Sequence, residues 1–455
     1  MQNELVLGLL VGVPCVGAFA LPLASRVSER TRNLASLLFL LVSLAATVRL
    51  MPVVLSGATV TVPFGGVDLL YADRLAVFMA FVSSLVGAII ILYSFGYISH
   101  YEHRDEYYFM VVLFLGSMMG LIFARNLIAL YLFWEITAIA CWRLIGYFRE
   151  KNHVLKADKA FLVTVFGALL MLVGFIIIYD QTGSFDLGKI KTALSGTTAS
   201  NLAVVLILCG ILSKSATVPL HTWLPDAGVA PSPVTALLHA AVLVKIGVYV
   251  YARLFLVTIP VAAVWHTIVP AMAGASALVA GGAALVETDL KRIIAYSTVS
   301  QIGFIFLGLS IGNTIGVAGG LVFILMHGIA KAGLFLCAGI VEQNAGTKDI
   351  RKLGGLISGM PVTAVAFILC AFSVMGVPPL GGFFSKYMVI SGAIQSGQAA
   401  IAVIFLAGAV LTIVYLFRLF SMIFLGEPSA SLAPNIREGS RVMVVSVGIL
   451  AALSI

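Results

Sequence analysis

Charge is what this chain lacks most. Asp, Glu, Lys and Arg make up only 10% of its 455 residues, against about 25% in a soluble domain. Long polar stretches are missing too. The longest, Asp180 to Ser200, reads as a loop, and no soluble domain is visible. Each of the five cysteines (Cys15, Cys141, Cys209, Cys337, Cys370) sits in an apolar segment without a CxxC pair. Iron–sulfur, zinc and disulfide chemistry therefore have no support, and the thiols read as packing groups. There is no phosphate loop, nucleophile–base pair or metal-ligand spacing, so no metal, cofactor or catalytic centre of its own is expected. Carboxylates are few, 19 Asp and Glu against 27 Lys and Arg. The resulting net charge of +8 belongs to short loops and helix interiors, so nucleic acid is not an expected partner.

Apolar sequence dominates, at 61% of the chain. Runs of about 18 or more apolar residues recur from end to end, giving about fourteen segments. The fold class is an all-α polytopic membrane protein. The first run, Leu5 to Leu23, lacks a basic start and a small-residue cleavage site and reads as a retained helix. Gly57 to Phe64 alternates like a short hairpin strand outside the membrane. The last run, 441–455, is short for a span. Fifteen of the 27 basic residues fall in loops on one side and six on the other. The richer side is expected to be cytoplasmic, which puts both termini on the non-cytoplasmic face of the cell's inner (plasma) membrane.

The six basic residues left over, Arg143, Lys214, Lys245, Lys331, Lys386 and Arg418, fall inside apolar spans. Arg418 is near a helix end and is expected to snorkel. Lys214 and Lys386 stand beside proline breaks in mirror-image order: Lys214 precedes Pro219, whereas Lys386 follows Pro378 and Pro379. Two inverted repeats, each with one broken helix near mid-membrane, would produce that order. Glu135 lies mid-span in YLFWEITAIACW. Desolvation favours a neutral acid there, and a nearby lysine favours the carboxylate, which makes Lys214 its candidate partner.

Lys245 is mid-span, and His239 precedes it by six residues, about 240° around a regular helix. Either that helix is irregular after Pro231 and Pro233, or the histidine serves another part of the path. His327 and Lys331 are four apart on one helix face and suit proton hand-over. At roughly 2.5–3.5 kcal/mol per central charge, five such residues would cost on the order of 12–18 kcal/mol if unpaired. A hydrated, mutually paired string explains them better than accident. Asp289 suits a helix start, and Ser297, Ser300 and Gln301 carry polar groups into the membrane, chiefly as glue between helices.

Five stretches carry a resemblance: Phe133-Trp134-Glu135, Ser213 to Asp226 (SKSATVPLHTWLPD), Pro231 to His239 (PSPVTALLH), Asp289 to Ser297 (DLKRIIAYS) and Gly382 to Lys386 (GFFSK). They resemble the antiporter-like, proton-conducting membrane subunits of respiratory complex I, of multisubunit sodium/proton antiporters and of membrane-bound hydrogenases. The resemblance covers about residues 70–425. It implies two inverted five-helix repeats, at 107–256 and 257–426, preceded by three helices in 1–106 and followed by a helix in 427–455. It also implies that Glu135, Lys214, Lys245, His327, Lys331 and Lys386 occupy proton-path positions. Arg143 stands where relatives usually carry an uncharged residue. It could pair with Glu150 or Asp158, or alter the charge balance at Glu135. The longest family members also have further spans and a helix lying along the membrane, which residues 1–455 do not include.

The expected function is proton translocation, as an antiporter-like subunit of a redox-driven membrane complex. The alternative is a subunit of a gradient-driven multisubunit sodium/proton antiporter, with sodium as a further ligand. Expected partners are other membrane subunits, related antiporter-like subunits among them, and lipid. Arg143, Asp289, Ser297 and Gln301 are expected to modulate the path formed by Glu135, Lys214, Lys245, His239, His327, Lys331 and Lys386.

Overall fold

A computed structural model describes residues 2–64, 66–429 and 436–455. By compactness the chain divides into two units, interleaved along the sequence.

The first unit comprises Met1–Ile91, His100–Lys214 and Lys245–Ala262. It opens with α1 (Gln2–Val27) and α2 (Glu29–Leu55), which turn about Ser28, the N-cap whose hydroxyl accepts from Thr31 N. A two-stranded antiparallel hairpin follows, β1 (Val60–Phe64) with β2 (Val67–Ala72), as the alternation suggested. Then come α3 (Arg74–Tyr97), α4 (Arg104–Phe123), α5 (Leu127–Ile145) and α6 (Lys151–Thr182). The stretch expected to be a loop holds a short helix, α7 (Leu187–Ala193), because Asp186 caps it by accepting from Lys189 N. Helix α8 (Asn201–Lys214) ends on Lys214. Along α6 the exposed Leu162, Phe166, Leu169, Val173 and Ile176 form one apolar stripe. In water such a stripe would be a liability; against lipid it is the solvated face.

The second unit comprises Leu92–Ser99, Ser215–Val244 and Ala263–Ile455. After α8 the chain runs through Val218-Pro219 to α9 (Trp223–Asp226) and α10 (Ser232–Ala236). A π-helical turn, Leu237–Ala241, comes next, and Val242 leaves helical geometry altogether. Helix α11 (Leu243–Tyr251) resumes the span; from Lys245 on, it and the second π stretch that follows, Ala252–Thr258, belong again to the first unit. Of the two readings open for the spacing of His239 and Lys245, the irregular helix is the one present.

The rest of this unit is α12 (Trp265–Val286), α13 (Leu290–Ser310), α14 (Thr314–Ala345), α15 (Pro361–Met375), α16 (Gly381–Gln395), α17 (Ala399–Phe424) and α18 (Arg441–Leu453). Asp289 caps α13 as expected, accepting from Arg292 N. Helices α15 and α16 are the two halves of the second broken helix. Gly376 ends the first half at φ 84°, a left-handed conformation that favours glycine. A side chain at Gly382 would strike the carbonyl oxygen of Ser373, so glycine lets the two halves approach. Eleven helices in the described residues are long and apolar enough to span a membrane, and α8, α15 and α18 are shorter apolar helices. The chain is a polytopic helical membrane protein with one break after Lys214 and one before Lys386.

Candidate functional site

In the first unit the site is built on α5 and α8. Lys214 is completely buried, and its Nζ donates to the carbonyl oxygen of Trp134 at 3.0 Å while lying 5.1 Å from the centre of that indole ring. Glu135 is the next residue on α5. The two charges act on one another, but among the described residues no direct ion pair within 4 Å joins them. Glu135 Oε1 is buried and meets no hydrogen-bond partner among the described residues. A carboxylate held near, but not locked to, a buried ammonium can exchange a proton without first breaking a strong pair. Lys245 is completely buried on α11, between the two π stretches. Wide turns of this kind leave backbone groups out of α-helical register, a common feature of working sites.

In the second unit α14 is the organising element. Phe323, His327, Lys331 and Phe335 recur every four residues, a stripe that turns slowly around the helix. At one end the Phe323 ring lies 5.9 Å from Lys386 Nζ and 6.0 Å from the His327 ring. Lys386 also stands over Phe304 at 4.7 Å and donates to the carbonyl oxygen of Met375 at 3.4 Å, which places its ammonium at the helix break. At the other end the buried His239 packs on Phe335, with ring centres 4.5 Å apart. His327 and Lys331 between them are buried. Lys331 Nζ donates to Ile294 O at 3.2 Å and to Ser297 Oγ at 2.5 Å. Ser297 also accepts from the Tyr415 hydroxyl at 2.8 Å. Gln301 Nε2 donates to Thr412 Oγ1 at 3.0 Å and to Tyr415 at 3.4 Å. Ser297 and Gln301 thus sit in the polar network around Lys331, which Tyr415 and Thr412 complete.

Some sequence expectations need correction. Arg143 pairs with Glu106, not with Glu150 or Asp158; Glu106 also takes Arg149 at 2.7 Å, and Asp158 accepts from the Trp142 indole. Asp289, at the head of α13, lies 3.5 Å from Lys348. Arg418 does not simply snorkel: its guanidinium donates to Leu285 O at 2.6 Å and Glu287 O at 3.1 Å, covering the carbonyls at the end of α12. Two cations assigned to loops are buried. Arg253 makes a two-pronged pair with Asp73 at 2.6 and 2.7 Å, and Lys291 pairs with Glu342 at 2.5 Å. Burial works against the Asp73 carboxylate, but the hydrogen bonds and charge of Arg253, with the N–H of Ala76, hold its pKa below the usual value. Outside the spans Glu287 is also held low, as Arg292 and two backbone N–H groups outweigh its burial.

A buried lysine at each of two helix breaks and, in the second unit, a histidine and a lysine on one helix define the class. Residues 124–412, more than half of the chain, match the family described as NADH:quinone oxidoreductase/Mrp antiporter, transmembrane, and the chain belongs to that family. It is 35% identical over 415 residues to a Na(+)/H(+) antiporter subunit of Staphylococcus haemolyticus (strain JCSC1435), covering 84% of this chain and 51% of that protein. It is 34% identical over 425 residues to a Na(+)/H(+) antiporter subunit of Alkalihalophilus pseudofirmus, covering 87% and 53%. The chain spans about half the length of the curated relatives it matches. Among solved structures it is similar to a chain of the Mrp complex from Dietzia sp. DQ12-45-1b, with TM-score 0.89, 25% identity, and coverage of 100% of this chain and 94% of that one. It is also similar to a chain of the membrane-bound sulfane sulfur reductase, an archaeal respiratory membrane complex, with TM-score 0.90, 26% identity, and coverage of 99% and 93%.

Proposed function

We propose that this chain moves protons as an antiporter-like subunit of a larger membrane assembly. The observation that carries the proposal is the α14 face, where His327 and Lys331 lie between rings that touch His239 at one end and Lys386 at the other. A proton loads Lys214 under the influence of Glu135 and passes along the stretch carrying Lys245 and His239. It then crosses His327 and Lys331, and Lys386 releases it on the far side. Groups that titrate near neutrality when desolvated suit such relay. The drive is electrostatic: a neighbouring subunit displaces Glu135 or shifts its proton, which changes the proton affinity of Lys214.

The count of basic loops favours a plasma-membrane position with both termini on the non-cytoplasmic side. The names of the curated relatives favour sodium/proton exchange driven by gradients as the work of the parent assembly. The likeness to a chain of a respiratory complex favours a redox-driven parent. Vesicles containing the whole assembly separate the two, because only the exchanger requires sodium for proton flux. In either case Glu135→Ala and Lys214→Ala each stop proton movement while assembly persists. Unchanged flux in both variants overturns the proposal.

A further inference from the structure

One buried ion pair is left unused by the path just proposed. Lys291, on the first turn of α13, is 2% exposed, and its Nζ lies 2.5 Å from Glu342 Oε2. The same Nζ donates to the carbonyl oxygen of Ala230 at 3.1 Å, just before α10. Glu342 is 25% exposed and forms part of the wall of an open cavity of about 530 Å³, with Thr288, Asp289, Thr347, Lys348 and Asp349 around the mouth. On its inner side Glu342 Oε2 accepts from Ser232 Oγ at 3.3 Å, and Ser232 O accepts from Thr235 Oγ1 at 2.8 Å. Ser232, Thr235 and His239 follow one another at three- and four-residue spacing, on one side of α10 and the π turn that continues it. Glu342 is also eleven residues beyond Lys331, three turns along α14 and only about 20° off its face. The carboxylate therefore touches the cavity at one side and, at the other, the Ser232 hydroxyl at the head of the stretch that carries Thr235 and His239.

We propose that Glu342, held by Lys291, is a proton-loading port that feeds the stretch carrying His239 from the cavity by way of the Ser232 hydroxyl. Hydronium in the cavity gives its proton to a Glu342 oxygen and leaves as water. The carboxylic acid then returns to carboxylate as its proton passes by way of the Ser232 hydroxyl and along α10 to the neutral His239 imidazole, which becomes imidazolium. Lys291 keeps its ammonium charge throughout and anchors the carboxylate against α13 and Ala230. The charged groups facing this pair are Asp289, Lys348 and Asp349 at the mouth and the Arg292–Asp226 pair beside α13. The port rests on the proton-path reading and adds a second entrance to it.

The competing account is a mechanical lock between α13 and α14. A lock survives replacement by a well-packed apolar pair, because exchanging a buried ion pair for hydrophobic residues of similar volume is commonly neutral or stabilising. The experiment uses the whole assembly in vesicles and compares Glu342→Gln, Glu342→Asp and the double variant Lys291→Met/Glu342→Leu. The port predicts at least a tenfold fall in proton flux for Glu342→Gln and for the double variant, with flux within about threefold of normal in Glu342→Asp. Full flux in the double variant overturns the port. A second measurement leaves Glu342 intact: Thr347→Cys at the mouth is labelled with a charged, membrane-impermeant thiol reagent. Labelling from the cavity side slows flux if the port is real, and labelled protein with undiminished flux overturns it. Lys331→Met serves as the reference. If it too transports normally, the path itself has failed; if it is dead while Glu342→Gln is active, only the port has.

Discussion

Replacing Lys214 with methionine separates a working lysine from a structural one. Among the described residues its ammonium makes one hydrogen bond, to Trp134 O at 3.0 Å, and one ring contact at 5.1 Å, and it feels the charge of Glu135. A charged hydrogen bond contributes roughly 1.5–3 kcal/mol, and a desolvated cation–π contact about 2 kcal/mol. Against that sum stands the effective cost of burying an ammonium, several kcal/mol even after relaxation. Methionine keeps most of the side-chain volume and removes the charge, so the two sides nearly cancel. Lys214→Met should change stability by no more than about 2 kcal/mol, in either direction. Relative to methionine, Lys214→Ala loses two side-chain carbons and the sulfur, at about 0.8 kcal/mol per methylene-sized group, and leaves a cavity as well. It should therefore be clearly less stable than the methionine variant. Thermal unfolding in detergent measures this ordering, and proton flux in vesicles measures function. The reasoning requires a Lys214→Met protein that folds, assembles and conducts nothing. A variant that conducts normally refutes it, as does one that fails to fold although its packing volume is nearly intact.

Tyr415→Phe removes the hydroxyl that donates to Ser297 beside Lys331. It should cost about 1 kcal/mol of stability and slow proton flux several-fold; unaltered flux would exclude Tyr415 from the relay. Asp73→Asn leaves the nearly buried Arg253 without its counter-charge, and breaking such a pair costs about 3–5 kcal/mol. The Asp73 carboxyl is depressed on folding. Its stabilisation is therefore complete above the unfolded value of about 3.9 and is lost as pH falls through the lower, folded value. Unfolding measured against pH should show this acid-limb loss in the native chain, and a shallower one in the variant.

The lysines and their proline breaks were legible because the cost of a charge in hydrocarbon is a local property of the sequence. The irregular helix near His239 was only half legible: six residues do not return to one face of a regular helix, but the spacing alone does not choose between a distorted helix and a histidine placed elsewhere. Pairings across the fold were not. The carboxylates that follow Arg143 most nearly in sequence, Glu150 and Asp158, are not its partner; Glu106, 37 residues earlier, is. Tyr415 and Ser297 are 118 residues apart, and nothing in a single chain marks one buried tyrosine among several. Lys291 and Arg253 read as loop cations because each lies at the end of an apolar run, and only tertiary packing tells a dry end from a wet one. Glu342 carried an overlooked signal: it falls three turns from Lys331 on the same helix.

A four-residue step overshoots one helical turn by about 40°. Three such steps, from Phe323 through His327 and Lys331 to Phe335, therefore wind about 120° around α14. The ladder climbs as a shallow corkscrew, so a single rod can meet α16 at its foot and the π turn near its top. A proton following these side chains would change its bearing without either helix having to move.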